Sequence, residues 1–151
     1  FDCEVLYYRR SGPAEGTSAR YAERDEILET CDIVSLHMPL TEASHHTIGA
    51  AELARMKSDA LLVNTGRGGL IDEAALIDTL THKRIAGAAL DVFTEEPVEP
   101  DNPLLRLDNV LPLPHIGGHS EDNLKRMVGH WASNIRAFHE GRGIDESYLV
   151  T

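Results

Sequence analysis

Three ionisable residues of different kinds, Arg67, Glu96 and His115, have the types and positions that could support catalysis. Each follows an apolar run that is typical of a β-strand. Because the carboxyl ends of parallel strands share one edge of a sheet, residues that follow such strands converge in space. A guanidinium binds a planar carboxylate through paired hydrogen bonds, and an imidazole held by a carboxylate can donate or accept a proton. The three residues therefore predict a site that binds a carboxylate-bearing substrate and moves a proton beside it.

The elements that must position these residues are short apolar runs that alternate with helical segments. Strands are predicted at residues 5–8, 33–36, 60–63, 85–92 and 109–111, and helices at residues 23–30, 51–56, after an N-cap at Asp72, and at 120–139. The long helix carries Trp131 among its apolar residues, and we assign this side chain to packing. Strands that are apolar throughout, rather than alternating, favour a parallel sheet covered by helices on both faces. The fold class predicted from this pattern is α/β.

The composition is that of one globular domain with an excess of acid: 42% of the 151 residues are hydrophobic and 26% are charged. The 25 acidic residues outnumber the 14 Lys and Arg and give a formal charge of -11, which disfavours nucleic acid and anionic membrane surfaces as partners. No apolar run approaches the length of a membrane span. Cys3 and Cys31 form no metal-binding or redox motif, so we expect two buried thiols and a cytoplasmic location.

The histidines offer two arrangements that a metal site could use, and both are unfavourable. His45 and His46 lie in a polar loop where Glu42 is the only nearby acid. His119 follows His115 at helical spacing, but the two glycines close behind His115 interrupt a helix there. We therefore expect no metal.

Four segments, taken in order, carry a resemblance to a known family: residues 32–41, 64–68, 88–97 and 114–118. With them the chain resembles the D-2-hydroxyacid dehydrogenases, among them phosphoglycerate dehydrogenase and the glyoxylate/hydroxypyruvate reductases, from Val5 to about Gly141. The resemblance implies a Rossmann-type doubly wound parallel sheet, hydride transfer between NAD(P)(H) and a small 2-oxo or 2-hydroxy acid, and a homodimer.

The same resemblance implies a domain organisation. In the family a G-x-G-x-x-G loop precedes the strand at Val5, which puts its glycines about ten residues upstream of Phe1. On this interpretation the first βα unit and the substrate domain lie upstream, residues 1–140 are the C-terminal part of a dinucleotide-binding domain, and residues 141–151 return toward the substrate domain. The 151 residues alone are then expected neither to bind a dinucleotide tightly nor to turn over.

By resemblance, Arg67 binds and polarises the substrate, His115 is the acid/base and Glu96 orients it. Glu95 is the rival for the last role, but the family's count of five residues from Asp91 selects Glu96. The formate dehydrogenase branch carries glutamine at the position of Glu96, so formate is disfavoured as a substrate.

The resemblance also implies a cofactor surface. It places Asp91 beside the nicotinamide, although a loop or capping role for this acid stays open. The other positions implied to bind the cofactor are Met38, Pro39, Thr65, Gly66, Arg67, His115, Gly117 and Gly118. For the first four of these, plain turn roles also stay open.

The choice between the two dinucleotides depends on the end of the first strand. NAD enzymes of this fold place an acid there, which hydrogen-bonds the ribose hydroxyls. Here Arg9 occupies that place and Arg10 follows, and guanidinium groups attract and hydrogen-bond a 2′-phosphate. We therefore expect NADP(H) to be preferred and NAD(H) to be possible, unless these are simply solvated arginines.

A second class of function remains open, a non-catalytic dinucleotide-sensing protein of the corepressor kind on the same fold. A sensor does not need Arg67, Glu96 and His115 together, so their joint presence favours the enzyme.

Overall fold

The computed structural model describes residues 2–143, and the chain divides into two compact units, Phe1–His115 and Ile116–Thr151. In the first unit the strands are β1 (Leu6–Tyr7), β2 (Arg20–Tyr21), β3 (Ile33–Leu36), β4 (Leu61–Asn64), β5 (Gly87–Leu90) and β6 (Val110–Pro112). Its α-helices are α1 (Arg24–Thr30), α2 (Ala50–Leu53) and α3 (Glu73–Thr81), and short 3-10 helices span Glu42–Ser44, Gly68–Leu70 and Pro103–Arg106.

Every strand pairing is parallel, as the sequence predicts. A four-stranded sheet has the order β3-β4-β5-β6, and β1 pairs with β2 in a separate two-stranded sheet. The prediction of an α/β, Rossmann-type parallel fold is confirmed. Strand β2 was not predicted, because Arg20 and Tyr21 form no apolar run that would indicate a strand.

The core lies on one face of the four-stranded sheet. Leu62 and Leu90 are buried there against helical side chains such as Leu28 of α1 and Leu76 of α3. On the opposite face Ile33, Leu61 and Leu111 are 60%, 42% and 57% exposed. The expectation that both faces of the sheet are covered is therefore not met by the described residues of this unit, since only alternate strand residues face the helices.

The local signals that begin and end elements are largely confirmed. Asp72 caps α3, and its side chain accepts a hydrogen bond from the Ala75 N–H at 3.2 Å. The predicted strand at residues 85–92 is shorter, because only Gly87–Leu90 joins the ladder.

Neither cysteine is fully buried, which corrects the prediction: Cys3 is exposed, Cys31 is partly buried, and both are free thiols.

The second unit contains α4 (Glu121–His139), which Ser120 caps by accepting a hydrogen bond from the Asn123 N–H at 3.1 Å. Trp131 is 56% exposed, so the described residues do not provide the packing predicted for it. Most of the predicted tail at 141–151 lies outside the described residues. Among residues 2–143, no helix has the length and apolarity needed to cross a membrane.

Candidate active site

Predicted catalytic and cofactor-binding residues follow the carboxyl ends of three adjacent parallel strands. Arg67 comes three residues after β4, Asp91 comes directly after β5, and His115 comes three residues after β6. Glu96 lies in the loop that follows β5. Because these strands are neighbours in the sheet, the topology brings their carboxyl ends to one edge, as the sequence predicts.

The loop that carries Arg67 is closed by a buried asparagine that the sequence analysis did not single out. Asn64 is 1% exposed; its Nδ2 donates to the Arg67 carbonyl at 2.9 Å and its Oδ1 accepts from the Gly66 N–H at 3.0 Å. The guanidinium of Arg67 donates to the Gly66 carbonyl at 2.8 Å. The position of an amide residue at the end of an apolar strand was the available signal, because a buried amide needs hydrogen-bonding partners.

Glu96 and His115 form a direct pair. The Nδ1 atom of His115 lies 2.8 Å from Glu96 Oε2, and the other carboxylate oxygen accepts from the Phe93 N–H at 2.9 Å. His115 adopts a φ of 55°, a left-handed conformation at the end of its strand. The partner is therefore Glu96, the residue that the count from Asp91 selects.

The surroundings of Glu96 favour its charged form. The hydrogen bond with His115 lowers the pKa of the Glu96 carboxyl below its usual range, and the Phe93 N–H and the positive charge of Arg67 lower it further. With Nδ1 engaged by the carboxylate, Nε2 is the ring nitrogen that can exchange a proton. The imidazole is 49% exposed, so a substrate can approach it.

A cavity of about 580 Å³ lies at the carboxyl ends of β3 and β4. Four residues predicted to contact the cofactor line it together with the arginine predicted to bind the substrate: Met38, Pro39, Thr65, Gly66 and Arg67. His37 and Leu40, which the sequence analysis left aside, also line it. The His37 Nε2 lies 2.8 Å from the Ser35 hydroxyl, which fixes the ring at the rim.

The remaining predicted cofactor residues lie in different settings. Asp91 is 2% exposed, and its N–H donates to the Asn64 carbonyl at 2.9 Å. Gly117 and Gly118 belong to the second unit, where the Gly118 carbonyl accepts from the Asn123 amide at 2.7 Å. Their predicted role toward the cofactor stays a prediction.

The two arginines after β1 lie in an exposed turn. Arg9 Nε donates to the Gly12 carbonyl at 2.5 Å and its Nη2 to the Pro13 carbonyl at 2.9 Å, while Arg10 is exposed beside it. The guanidinium of Arg9 is thus held by its own loop at the strand end.

Two of the histidines considered as metal ligands, His45 and His46, lie against each other in their loop. The rings of His45 and His46 stack with centroids 3.8 Å apart. Within residues 2–143, no group of three or more His, Cys, Asp or Glu side chains is arranged to hold a metal ion.

Sequence relatives of the chain are reductases. It is 44% identical over 144 residues to a glyoxylate reductase of Korarchaeum cryptofilum, which covers 93% of this chain and 43% of the relative. It is also 44% identical over 138 residues to a glyoxylate/hydroxypyruvate reductase B of Citrobacter koseri, covering 89% of this chain and 43% of the relative. The chain thus spans less than half the length of these relatives.

Solved structures share the fold. A D-lactate dehydrogenase of Lactobacillus jensenii, determined with NAD+, matches 98% of this chain and 48% of its own with a TM-score of 0.86 at 30% identity. An acyclic imino acid reductase in complex with NADPH and D-Arg matches 93% of this chain and 45% of its own with a TM-score of 0.84, also at 30% identity.

A family model settles the relationship. The model for the NAD binding domain of D-isomer specific 2-hydroxyacid dehydrogenases matches residues 1–117, most of the chain. The chain therefore belongs to the D-isomer specific 2-hydroxyacid dehydrogenase family, in its NAD-binding domain.

Proposed function

We propose that the protein is an NAD(P)-dependent D-2-hydroxyacid dehydrogenase that interconverts a small 2-oxo acid and its D-2-hydroxy acid, with glyoxylate or hydroxypyruvate as the substrate. The observation that carries this proposal is the 2.8 Å pair of Glu96 and His115 at the same sheet edge as Arg67. The relatives named as glyoxylate and hydroxypyruvate reductases support the substrate class. No observation favours the corepressor-like alternative.

The residues present fit the nicotinamide end of a dinucleotide. The 580 Å³ cavity at the ends of β3 and β4 combines apolar side chains, Met38 and Pro39, with the polar loop at Thr65 and Gly66. Asp91 is buried after the neighbouring strand, where an acid can accept from a carboxamide and offset a positive ring. When bound, the nicotinamide supplies hydride to a 2-oxo acid or accepts it from a hydroxy acid.

The three ionisable residues divide the remaining tasks. Arg67 binds the substrate carboxylate and polarises the adjacent carbonyl through its planar fork of N–H donors. In reduction the Nε2 of His115 donates a proton to the carbonyl oxygen as hydride reaches the carbon, and in oxidation it accepts that proton. Glu96 fixes the tautomer by accepting from Nδ1 and balances the charge of the protonated ring.

We assign the cofactor preference to the turn after β1. Arg9 and Arg10 put two positive charges where an acid would repel a 2′-phosphate, so NADP(H) is preferred and NAD(H) is possible. The hydrogen bonds from Arg9 to its own loop hold one guanidinium at the strand end. Related structures contain NADPH in one case and NAD+ in another, so both dinucleotides are used in proteins of this fold.

We further infer that the intact protein is a cytoplasmic homodimer, on the strength of the family resemblance. Light scattering after size-exclusion chromatography tests the dimer directly, and a monomer at micromolar concentration contradicts it.

The test of function is a spectrophotometric assay on the intact protein. NADPH and NADH are each mixed with glyoxylate, hydroxypyruvate or acetaldehyde, and nicotinamide oxidation is followed. We expect reduction of the two 2-oxo acids and very slow reduction of acetaldehyde, because it offers Arg67 no carboxylate. In the reverse direction D-glycerate is expected to react and L-glycerate is not. Tight dinucleotide binding without consumption of any 2-oxo acid contradicts the proposal and favours a sensor.

A further inference from the structure

The main chain at Phe93 is the point at which the acid/base pair is tied to the loop after β5. Phe93 is buried, and its N–H donates to Glu96 Oε1 at 2.9 Å while Glu96 Oε2 contacts His115. The place of the pair therefore depends on where the main chain on either side of the Phe93 Cα is held.

A second carboxylate, from α3, holds the next peptide group along the chain, the one between Phe93 and Thr94. Glu73, the first residue of that helix, is half-buried, and its Oε2 accepts from the Thr94 N–H at 3.1 Å. Its Oε1 accepts from the Asn102 side-chain amide at 2.8 Å. Glu73 thus joins the beginning and the end of the loop that carries Glu96.

The loop of Arg67 meets the same peptide. A Cβ added to Gly68 would overlap the carbonyl group of Phe93 and the nitrogen of Thr94, so the main chain directly after Arg67 packs against this peptide. Only glycine allows the approach. The peptide therefore lies between the arginine loop and the carboxylate of Glu73.

We propose that Glu73 is a positioning residue for the reaction: by holding the Phe93–Thr94 peptide against Gly68, it sets the place of the Glu96–His115 pair relative to Arg67. The inference rests on the proposed function, since it assigns Glu73 a task in that chemistry. A purely structural role for Glu73, as a carboxylate at a helix N-terminus that stabilises a loop, predicts a loss of stability alone.

An exchange of the hydrogen-bond donor and acceptor between Glu73 and Asn102 tests the proposal. In Glu73→Gln the amide oxygen still accepts from Thr94, but the amide NH₂ then faces the donor group of Asn102. Adding Asn102→Asp restores a donor and an acceptor, and the second oxygen of Asp can still accept from the Leu104 N–H, as Asn102 does now at 2.9 Å. The double-mutant cycle therefore separates the effect of the contact between the two side chains from the effect of changing each side chain alone.

Two measurements on the intact protein are made for each variant: kcat for reduction of the 2-oxo acid, and the pKa of the Glu96 carboxyl from carbon-detected NMR. Glu73→Gln is expected to lower kcat about tenfold or more, because the reacting groups lose alignment. It also returns the pKa of Glu96 toward its ordinary value of 4.5, because the Phe93 N–H moves away. The double variant restores both, and Asp25→Asn, which removes a first-turn carboxylate from α1, changes neither.

A Glu73→Gln protein that melts earlier but keeps the wild-type kcat and the wild-type pKa of Glu96 overturns the proposal. If this variant does not fold, Asn102→Ala removes one of the two anchors of Glu73 and must move the pKa of Glu96 in the same direction; an unchanged value contradicts the proposal. A wild-type protein that reduces no 2-oxo acid refutes the proposed function, whereas the NMR measurement still decides whether Glu73 positions Glu96.

Discussion

The loop after β5 and the turn after β1 both follow parallel strands, but they are held in different ways. After β5 the chain is buried from Asp91 to Phe93. The N–H groups of Phe93 and Thr94 donate to two different carboxylates, those of Glu96 and Glu73. After β1 the turn is exposed, and Arg9 contacts only its own loop in the hydrogen bonds described above.

The contrast indicates how each region can vary. The loop after β5 is fixed by several independent contacts, so a change there alters the geometry of the reacting groups and affects kcat. The turn after β1 is fixed by its own residues, so a change there alters the charge presented to a ligand and leaves the rest of the unit intact. Replacements in the two regions should therefore separate catalysis from cofactor choice.

The largest effect is expected from His115, which the loop after β5 holds through Glu96. His115→Ala removes the group that exchanges the proton, and kcat for reduction of the 2-oxo acid should fall roughly 10²–10⁴-fold. The Kd of the dinucleotide, measured by calorimetry, should change far less than kcat, because His115 is only one of several residues implied to contact the cofactor. His82→Ala removes an exposed histidine next to Asp78 and is the matched control. A kcat within twofold of wild type in His115→Ala would exclude the acid/base assignment.

A smaller effect is expected at the arginine. Arg67→Lys keeps the charge but loses the planar fork, so kcat/KM for glyoxylate should fall roughly tenfold to a hundredfold, the equivalent of one charged hydrogen bond. Most of the loss should appear in KM if the fork mainly binds the carboxylate. Arg84→Lys, at a surface pair with Asp78, controls for the substitution itself. Equal kinetics in Arg67→Lys and wild type would show that a point charge suffices.

At the turn after β1 the expected change is in the ratio of kcat/KM with NADPH to kcat/KM with NADH. Arg9→Asp should reduce kcat/KM with NADPH about tenfold while leaving NADH within about twofold, because the acid repels the 2′-phosphate. Lys83→Asp makes the same change of charge at an exposed site with a φ of 51°, a conformation that aspartate tolerates. A wild type that favours NADH, or a variant with an unchanged NADPH/NADH ratio, contradicts the assignment.

The smallest expected effect is on stability. Because the pKa of Glu96 is lowered on folding, its ionised form stabilises the protein above the ordinary pKa of 4.5, and this contribution fades as the pH falls through the lowered value. Glu96→Gln should therefore be less stable than wild type at pH 7 by less than about 1 kcal/mol, since the pair is partly exposed to solvent. Denaturant titrations at pH 7 and pH 3 measure the difference, which should shrink at the lower pH. A stability difference between wild type and Glu96→Gln that grows at pH 3 would contradict a Glu96 carboxyl whose pKa is lowered on folding.

The strand ends and the pairing of Glu96 with His115 could be anticipated from the sequence. Apolar runs predicted β3 and β4 nearly to the residue, and parallel topology then requires their carboxyl ends to share an edge. The helix from Ser120 was predicted from its cap and its apolar spacing.

The contacts that hold the site could not be predicted in this way. Glu73 accepts hydrogen bonds from Thr94 and Asn102, which lie 21 and 29 residues further along the chain, and no periodicity or composition reveals such partners. The exposure of Ile33 likewise depends on which face the helices cover, and a run of apolar residues does not specify that.

The pH dependence of kcat/KM for 2-oxo acid reduction, compared between wild type and Glu96→Gln, tests the central claim most directly. The account predicts that the loss of activity on the alkaline side begins at lower pH in the variant, because a neutral amide no longer favours the protonated imidazole needed as the acid. Asp25→Asn should keep the wild-type profile. Superimposable profiles for wild type and Glu96→Gln would contradict the account, since Glu96 would then have no part in holding the proton.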